Sequence, residues 1–129
     1  MFIRYENIAS DDVLIDVRTN KEYREQRLFP INLPVVDEEE YRKIKKFYPS
    51  AFFIIVKNII KNRKKIKDRL LKESNQGMFT IVFTCSRGRL RSPLICIYAK
   101  KLGLNAKVLR GGVKGQYKSK RRRKWSKIG

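Results

Sequence analysis

The 129 residues carry 32 lysines and arginines against 12 acids and no histidine, for a net charge of +20. No histidine base, histidine metal ligand or Ser-His-Asp arrangement can be built from such a chain, and the excess of cations predicts a polyanionic partner, nucleic acid first. The length predicts one domain, large enough to bury a true core. A lysine-rich proteome is the bland alternative, but glutamate is not raised to match, as it is in thermophiles. The two cysteines, Cys85 and Cys96, have neither metal-ligand spacing nor the make-up of a disulfide framework. Reduced cytoplasm is the expected compartment and no metal is expected. The first residues, M-F-I-R-Y-E-N-I-A-S, lack the shape of a leader. Nothing approaches the ~20 apolar residues of a membrane span, so no membrane contact is expected.

A short strand is predicted over residues 2–5, and V-L-I-D-V at 13–17 reads as a strand buried on both faces. Asp16 interrupts that run and must be paired if buried, with Arg18 the nearest cation. Thr19 or Asn20 can cap a helix to about Gln26, with Glu22 in its first turn. I-N-L, between Pro30 and Pro34, is a short extended piece. Residues 37–48 place acids first and bases later, matching a helix dipole. Pro49 is expected to break that helix and Ser50 to cap the next. Phe52, Val56, Ile59, Ile66 and Leu70 recur at helical spacing, which predicts one long amphipathic helix over 51–72. Its basic face reads as a solvated surface, with RNA contact the sharper alternative. Asn75-Gln76-Gly77 is a turn.

Residues 81–93, I-V-F-T-C-S-R-G-R-L-R-S-P, carry the chemistry. A strand runs into Cys85, five residues intervene, and Arg91, Ser92 and Pro93 open a helix to about Leu102. Ser92 suits its N-cap and Pro93 its first turn. Loop amides and the helix dipole can then face one centre, and Arg87, Arg89 and Arg91 add full charges. Electropositive settings favour thiolate over thiol, so Cys85 is a candidate nucleophile beside an anion cradle of Ser86, Arg87, Gly88, Arg89, Leu90, Arg91 and Ser92. A buried structural cysteine is the alternative, against which three arginines and a glycine within six residues argue. Cys96 falls on the apolar side of its helix and reads as core. Gly103 ends that helix, Ala106 to Leu109 is a strand, and Gly111-Gly112 allow a tight turn beside the site. Asp16, Arg18, Gly111 and Gly112 are expected to support the loop. From Lys114 the chain carries no acid. In the basic tail Lys118, Lys120, Arg121, Arg122, Arg123, Lys124, Trp125 and Lys127 are candidate RNA contacts, combining charge with one stacking ring.

Strands alternating with helices predict a single α/β domain with a mostly parallel central sheet flanked by helices. Residues 1–117 would form the domain and 118–129 a tail. Ligands of such sheets sit at the strands' carboxyl ends, where Cys85 lies.

Several pieces resemble a known family: V-L-I-D-V-R at 13–18, E-Y at 22–23, I-N-L-P-V at 31–35, D-E-E-E-Y-R at 37–42, C-S-R-G-R-L-R-S at 85–92 and L-R-G-G-V-K-G-Q-Y at 109–117. Together they resemble a rhodanese-like domain, most closely the rhodanese part of tRNA 2-selenouridine synthase. The chain departs from that pattern at Leu28-Phe29-Pro30, one residue shorter, and at Ser86 and Arg89, often Trp and Gly in the group. No G-x-x-x-x-G-K-[ST] occurs.

The resemblance implies a sulfur or selenium transferase with no bound cofactor. Cys85 would carry the chalcogen as persulfide or perselenide to the wobble 2-thiouridine of tRNA. Selenophosphate would be the donor substrate, and a separate P-loop subunit the partner. Two alternatives stay open: a cysteine-dependent phosphatase or arsenate reductase using the same Cys-x5-Arg loop, and a non-catalytic RNA-binding or scaffold module.

Overall fold

The structure, a computed structural model, describes residues 1–116. Five strands form one sheet: β1 (Phe2–Ile3), β2 (Val13–Asp16), β3 (Ile31–Asn32), β4 (Ile81–Thr84) and β5 (Ala106–Leu109). Their order is β1-β5-β4-β2-β3 and every pairing is parallel. The sheet is fully parallel, and the α/β prediction holds.

The register explains the apolar runs. Ile15, Val17, Ile81, Phe83, Ala106 and Val108 face one core; Ile3, Val82 and Leu109 face a second, with Phe29. Both faces of the central strands are covered, so polar alternation is absent. Helix α1 (Asn20–Glu25) follows β2, and α5 (Arg91–Lys101) follows β4. From β2 the chain moves outward to β3; from β4 it moves the other way to β5. The reversal leaves a crevice beyond the carboxyl ends of β2 and β4, where ligands of open parallel sheets bind.

Between β3 and β4 lie α2 (Glu38–Lys46), α3 (Ala51–Lys61) and α4 (Arg63–Glu73). Thr19 with Glu22 and Asp37 with Glu40 form reciprocal caps at the starts of α1 and α2. The predicted single helix over 51–72 is two helices. Its break falls at Asn62 (φ −104°, ψ 16°), where the Asn58 carbonyl accepts both the Asn62 backbone N–H at 2.9 Å and its side-chain amide at 3.0 Å; side-chain back-bonding of this kind bends helices. The apolar phase also differs. Ala51, Ile55, Ile59, Ile66 and Leu70 are buried, whereas Phe52 is exposed and Val56 half-buried. Nor does Pro49 end α2, which stops at Lys46; Pro49 sits in a 3-10 turn, Tyr48–Ser50. Ser50 does not cap α3, because its hydroxyl donates to the Phe47 carbonyl at 2.7 Å. No helix among the described residues is long and apolar enough to cross a membrane.

Candidate functional site

Asp16, at the end of β2, is fully buried and satisfied by one neighbour. Arg18 donates from Nη2 at 2.7 Å, from Nε at 2.9 Å and from its backbone N–H at 2.9 Å. Arg18 Nη2 also reaches the Gln26 carbonyl at 2.5 Å, tying β2 to the end of α1. The expected buried pair is therefore present, but its hydrogen bonds join β2 to α1 and to Asn32 of β3, and among the described residues none reaches the cysteine loop. A buried pair of this kind stabilises only when its remaining hydrogen bonds are made, as they are here.

Cys85 follows β4 at the floor of a cleft of about 260 Å³. Its thiol is buried, not on a surface loop, at 3% exposure. Sγ receives the Gly88 N–H at 3.2 Å and lies 3.1 Å from Ser92 Oγ. Ser92 thus turns to the sulfur and does not cap α5, which begins at Arg91 with no side-chain cap. Two hydrogen-bonding groups aimed at one sulfur suit negative charge on it.

The loop from 86 to 90 is held from below. Val113 and Lys114 donate backbone hydrogen bonds to the carbonyls of Cys85 and Ser86, at 2.9 and 3.0 Å. Gly112, at φ +63°, lies directly beneath: a Cβ there would stand 2.6 Å from Ser86 O and 2.7 Å from Arg87 N. The predicted support by Gly112 is a close approach that only a bare Cα allows. Gly111 shares the turn at φ +79° with more room around it. Ser86 and Gly88 are buried, Leu90 half-buried, and Arg87 and Arg89 exposed. The amides of Ser86, Arg87, Arg89 and Leu90 make no backbone hydrogen bond among the described residues. Such a run of free amides is what an anion requires.

Arg91 is placed differently from the other cations. It is buried, and its guanidinium grips Glu22, Nη1 to Oε1 at 2.7 Å and Nη2 to Oε2 at 3.3 Å. It stacks on Tyr41, 4.7 Å from the ring centre, while Lys45 covers the same ring at 4.7 Å. Burial acts to lower the Arg91 pKa, but the hydrogen bonds and charge of Glu22 carry it above its ordinary value. Burial likewise acts to raise Glu22, and Arg91 with Thr19 brings it below its ordinary value. Tyr41 is raised by burial and then by the Glu22 charge. One edge of Arg91 is thus spent on fixing the ring and the carboxylate, and the residue still lines the cleft.

Tyr41, Lys45, Tyr48, Ala51 and Ile55 form the opposite wall, with Arg87, Arg89 and Lys114 at the rim. Sequence reasoning missed Glu22, Tyr41, Lys45, Tyr48 and Lys114 as site residues. Glu22 and Tyr41 were visible only as members of the E-Y and D-E-E-E-Y-R pieces. Cys96 is fully buried in the main core, and burial raises its thiol pKa. The expected RNA contacts from Lys118 to Lys127 lie outside the described residues. Among the described residues no group of three or more His, Cys, Asp or Glu is placed to hold a metal ion.

No protein-family model matches the chain, and no curated protein matches it significantly. Among solved structures it is similar to the N-terminal domain of a "putative ATP/GTP binding protein" from Clostridium difficile 630. Identity is 29%, the match covers 92% of this chain and 97% of that one, and the TM-score is 0.73.

Proposed function

We propose that the protein is a rhodanese-like chalcogen carrier, the cysteine-bearing subunit of a tRNA 2-selenouridine synthase. Cys85 takes up sulfur or selenium as a persulfide or perselenide; in the selenium case the outer atom attacks C2 of the wobble 2-thiouridine, the C2–Se bond forms as the C2–S bond breaks and sulfide leaves, and an external thiol reduces the remaining Sγ–Se link. The observation that carries this reading is the chemistry of the cleft: a hydrogen-bonded thiol among Lys45, Arg87, Arg89, Arg91 and Lys114, with no Asp, Glu or His lining it among the described residues. Hydrolysis of a phosphate ester calls for a general acid to protonate a poor leaving group, and the described lining offers for that role only the weak acids Tyr41, Tyr48, Lys45 and Lys114. Chalcogen transfer calls for no such acid, because its leaving group is a thiolate. With a donor R–S–Y⁻, where Y is sulfur or selenium, the Cys85 thiolate attacks Y. The Sγ–Y bond forms, the S–Y bond breaks, and R–S⁻ leaves with the electron pair. The Gly88 N–H and Ser92 Oγ steady the sulfur, and the loop amides with Arg87, Arg89 and Lys114 balance the incoming negative charge. The same cations suit the oxyanion of selenophosphate, the selenium source that the resemblance implies; its selenide-level selenium reaches Sγ by displacing a thiol from a Cys85 mixed disulfide, after which water releases phosphate.

A net charge of +20 supports tRNA as the acceptor. The Clostridium neighbour supports a nucleotide-binding partner: there, a domain of this fold is the N-terminal part of a protein named for ATP/GTP binding. A P-loop partner is the corresponding proposal for this protein. The test is intact-mass and peptide analysis after exposure to a small persulfide donor, run beside an aryl phosphate assay. One added chalcogen on Cys85 without phosphate release is expected. Phosphate release that is lost in Cys85→Ser would replace this reading with the phosphatase.

A further inference from the structure

Four aromatic rings stand in water within seven residues: Phe47 at 64% exposure, Tyr48 at 58%, Phe52 at 49% and Phe53 at 73%. Apolar rings are normally among the first side chains a fold buries. Here the backbone holds them out. Phe47 closes α2 outside helical geometry (φ −143°, ψ 86°), and the 3-10 turn that follows is fixed by Ser50, whose N–H and Oγ both donate to the Phe47 carbonyl. Helix α3 turns Ala51, Ile55 and Ile59 inward, so Phe52 and Phe53 must face away, their rings edge-to-face at 5.7 Å.

The shelf adjoins the reaction centre, since Tyr48 and Ala51 themselves line the Cys85 cleft. Its surroundings are cationic. Lys45, Arg87, Arg89 and Lys114 line the same cleft, and among the described residues none of the four takes part in a salt bridge. The acidic stretch Asp37 to Glu40 opens onto a different depression, with Asn58 and Lys61. A protein partner covering the shelf would have to neutralise those cations as well as cover the rings. An unpaired polynucleotide does both, with phosphates for the cations and base faces for the rings.

We propose that Phe47, Tyr48, Phe52 and Phe53 form a stacking platform for the unpaired bases flanking the nucleotide whose base enters the Cys85 cleft. The proposal rests on the tRNA reading given above and adds the surface that reads the acceptor's single-stranded character. Cys85 lies on the cleft floor, so a base must leave its stack to reach it, and its neighbours then need new stacking partners. The shelf supplies them at the cleft mouth.

The test compares the full chain with Phe52→Ala/Phe53→Ala and Phe52→Leu/Phe53→Leu. Both positions are exposed, so circular dichroism and Cys85 loading from a small persulfide should be unchanged. Binding is read by fluorescence anisotropy across a salt series, with a stem-loop RNA and a blunt duplex of equal length. The alanine pair should bind the stem-loop about five- to hundredfold more weakly, the span of stacking on one base. The leucine pair should also lose most of that affinity, because it keeps apolar area but no π face. The salt slope should stay the same, since no phosphate contact is removed, and duplex binding should hardly change. Wild-type affinity for the stem-loop in both variants would overturn the platform while leaving the tRNA reading intact. Failure of the unaltered chain to bind stem-loop RNA, with or without the P-loop chain, would overturn both. Unchanged RNA binding with lost P-loop binding, restored by leucine, would reassign the shelf to a protein interface.

Discussion

Gly112→Ala is the sharpest probe of how the cysteine loop is held. Two costs apply. An L-residue in the left-handed region costs about 1–2 kcal/mol, and Gly112 sits at φ +63°. The new methyl would also stand 2.6 Å from Ser86 O and 2.7 Å from Arg87 N, both backbone atoms that cannot swing aside. Relieving such overlap in packed structure costs about 1–3 kcal/mol more. Gly103 is the control: its φ is +85°, yet a Cβ there meets nothing within 4 Å. Gly103→Ala should therefore cost about 1–2 kcal/mol and Gly112→Ala about 2–5 kcal/mol, the difference being the close approach alone. Urea unfolding at neutral pH measures both. Gly112→Ala should also slow Cys85 loading, because the loop must lift to admit the methyl, whereas Gly103→Ala should not. Equal destabilisation, or normal loading in Gly112→Ala, would refute the claim that bare backbone contact shapes the site.

Glu22→Gln should destabilise by about 1.5–3 kcal/mol near neutral pH, the range for a hydrogen bond to a charged group. The folded pKa of Glu22 lies below its ordinary value of 4.5, so its contribution is present above that value and is lost as pH falls through the folded one. Urea titrations of both proteins should accordingly converge in acid, and a gap that widened there would contradict the assigned ion pair. Arg91→Ala should depress loading far more than Arg89→Ala, because Arg91 is buried against Glu22 and Tyr41 while Arg89 is exposed; equal kinetic losses would count against this placement. Cys96→Ala should leave loading near normal and cost about 1–2 kcal/mol for the small cavity; a chalcogen adduct found on Cys96 would reverse the assignment.

Much of the site was legible because it is local. The strand into Cys85, the five-residue loop, the pairing of Asp16 with Arg18 and the capping pair of Thr19 with Glu22 all lie within a few residues of one another. Even the glycine turn beside the loop could be read, since paired glycines after a strand announce a backbone that needs room. What could not be read depends on the sheet order. Glu22 and Arg91 are 69 positions apart and meet only because β2 and β4 are neighbours. Several local readings also failed, and two show why. Phe52 looked like a core residue by size and spacing, but the buried phase runs through Ala51 one position earlier, and only the packing of α3 selects it. Ser92 has the chemistry of a cap, yet Cys85 Sγ lies within reach of its hydroxyl and takes it. In each case tertiary contact outranked local preference, and in the second the displaced preference marks the sulfur at the cleft floor.

The central claim is that Cys85 hands its chalcogen to the wobble base, and a single-turnover chase tests it most directly. The full chain is loaded with labelled persulfide or perselenide, freed of donor, and mixed with purified 2-thiouridine tRNA, a thiol reductant and the proposed P-loop partner. Label should leave Cys85 and appear in the wobble nucleoside at the same rate, with none transferred by Cys85→Ser. Label that remains on Cys85, or that reaches small thiols while the nucleoside stays unlabelled, would contradict the account.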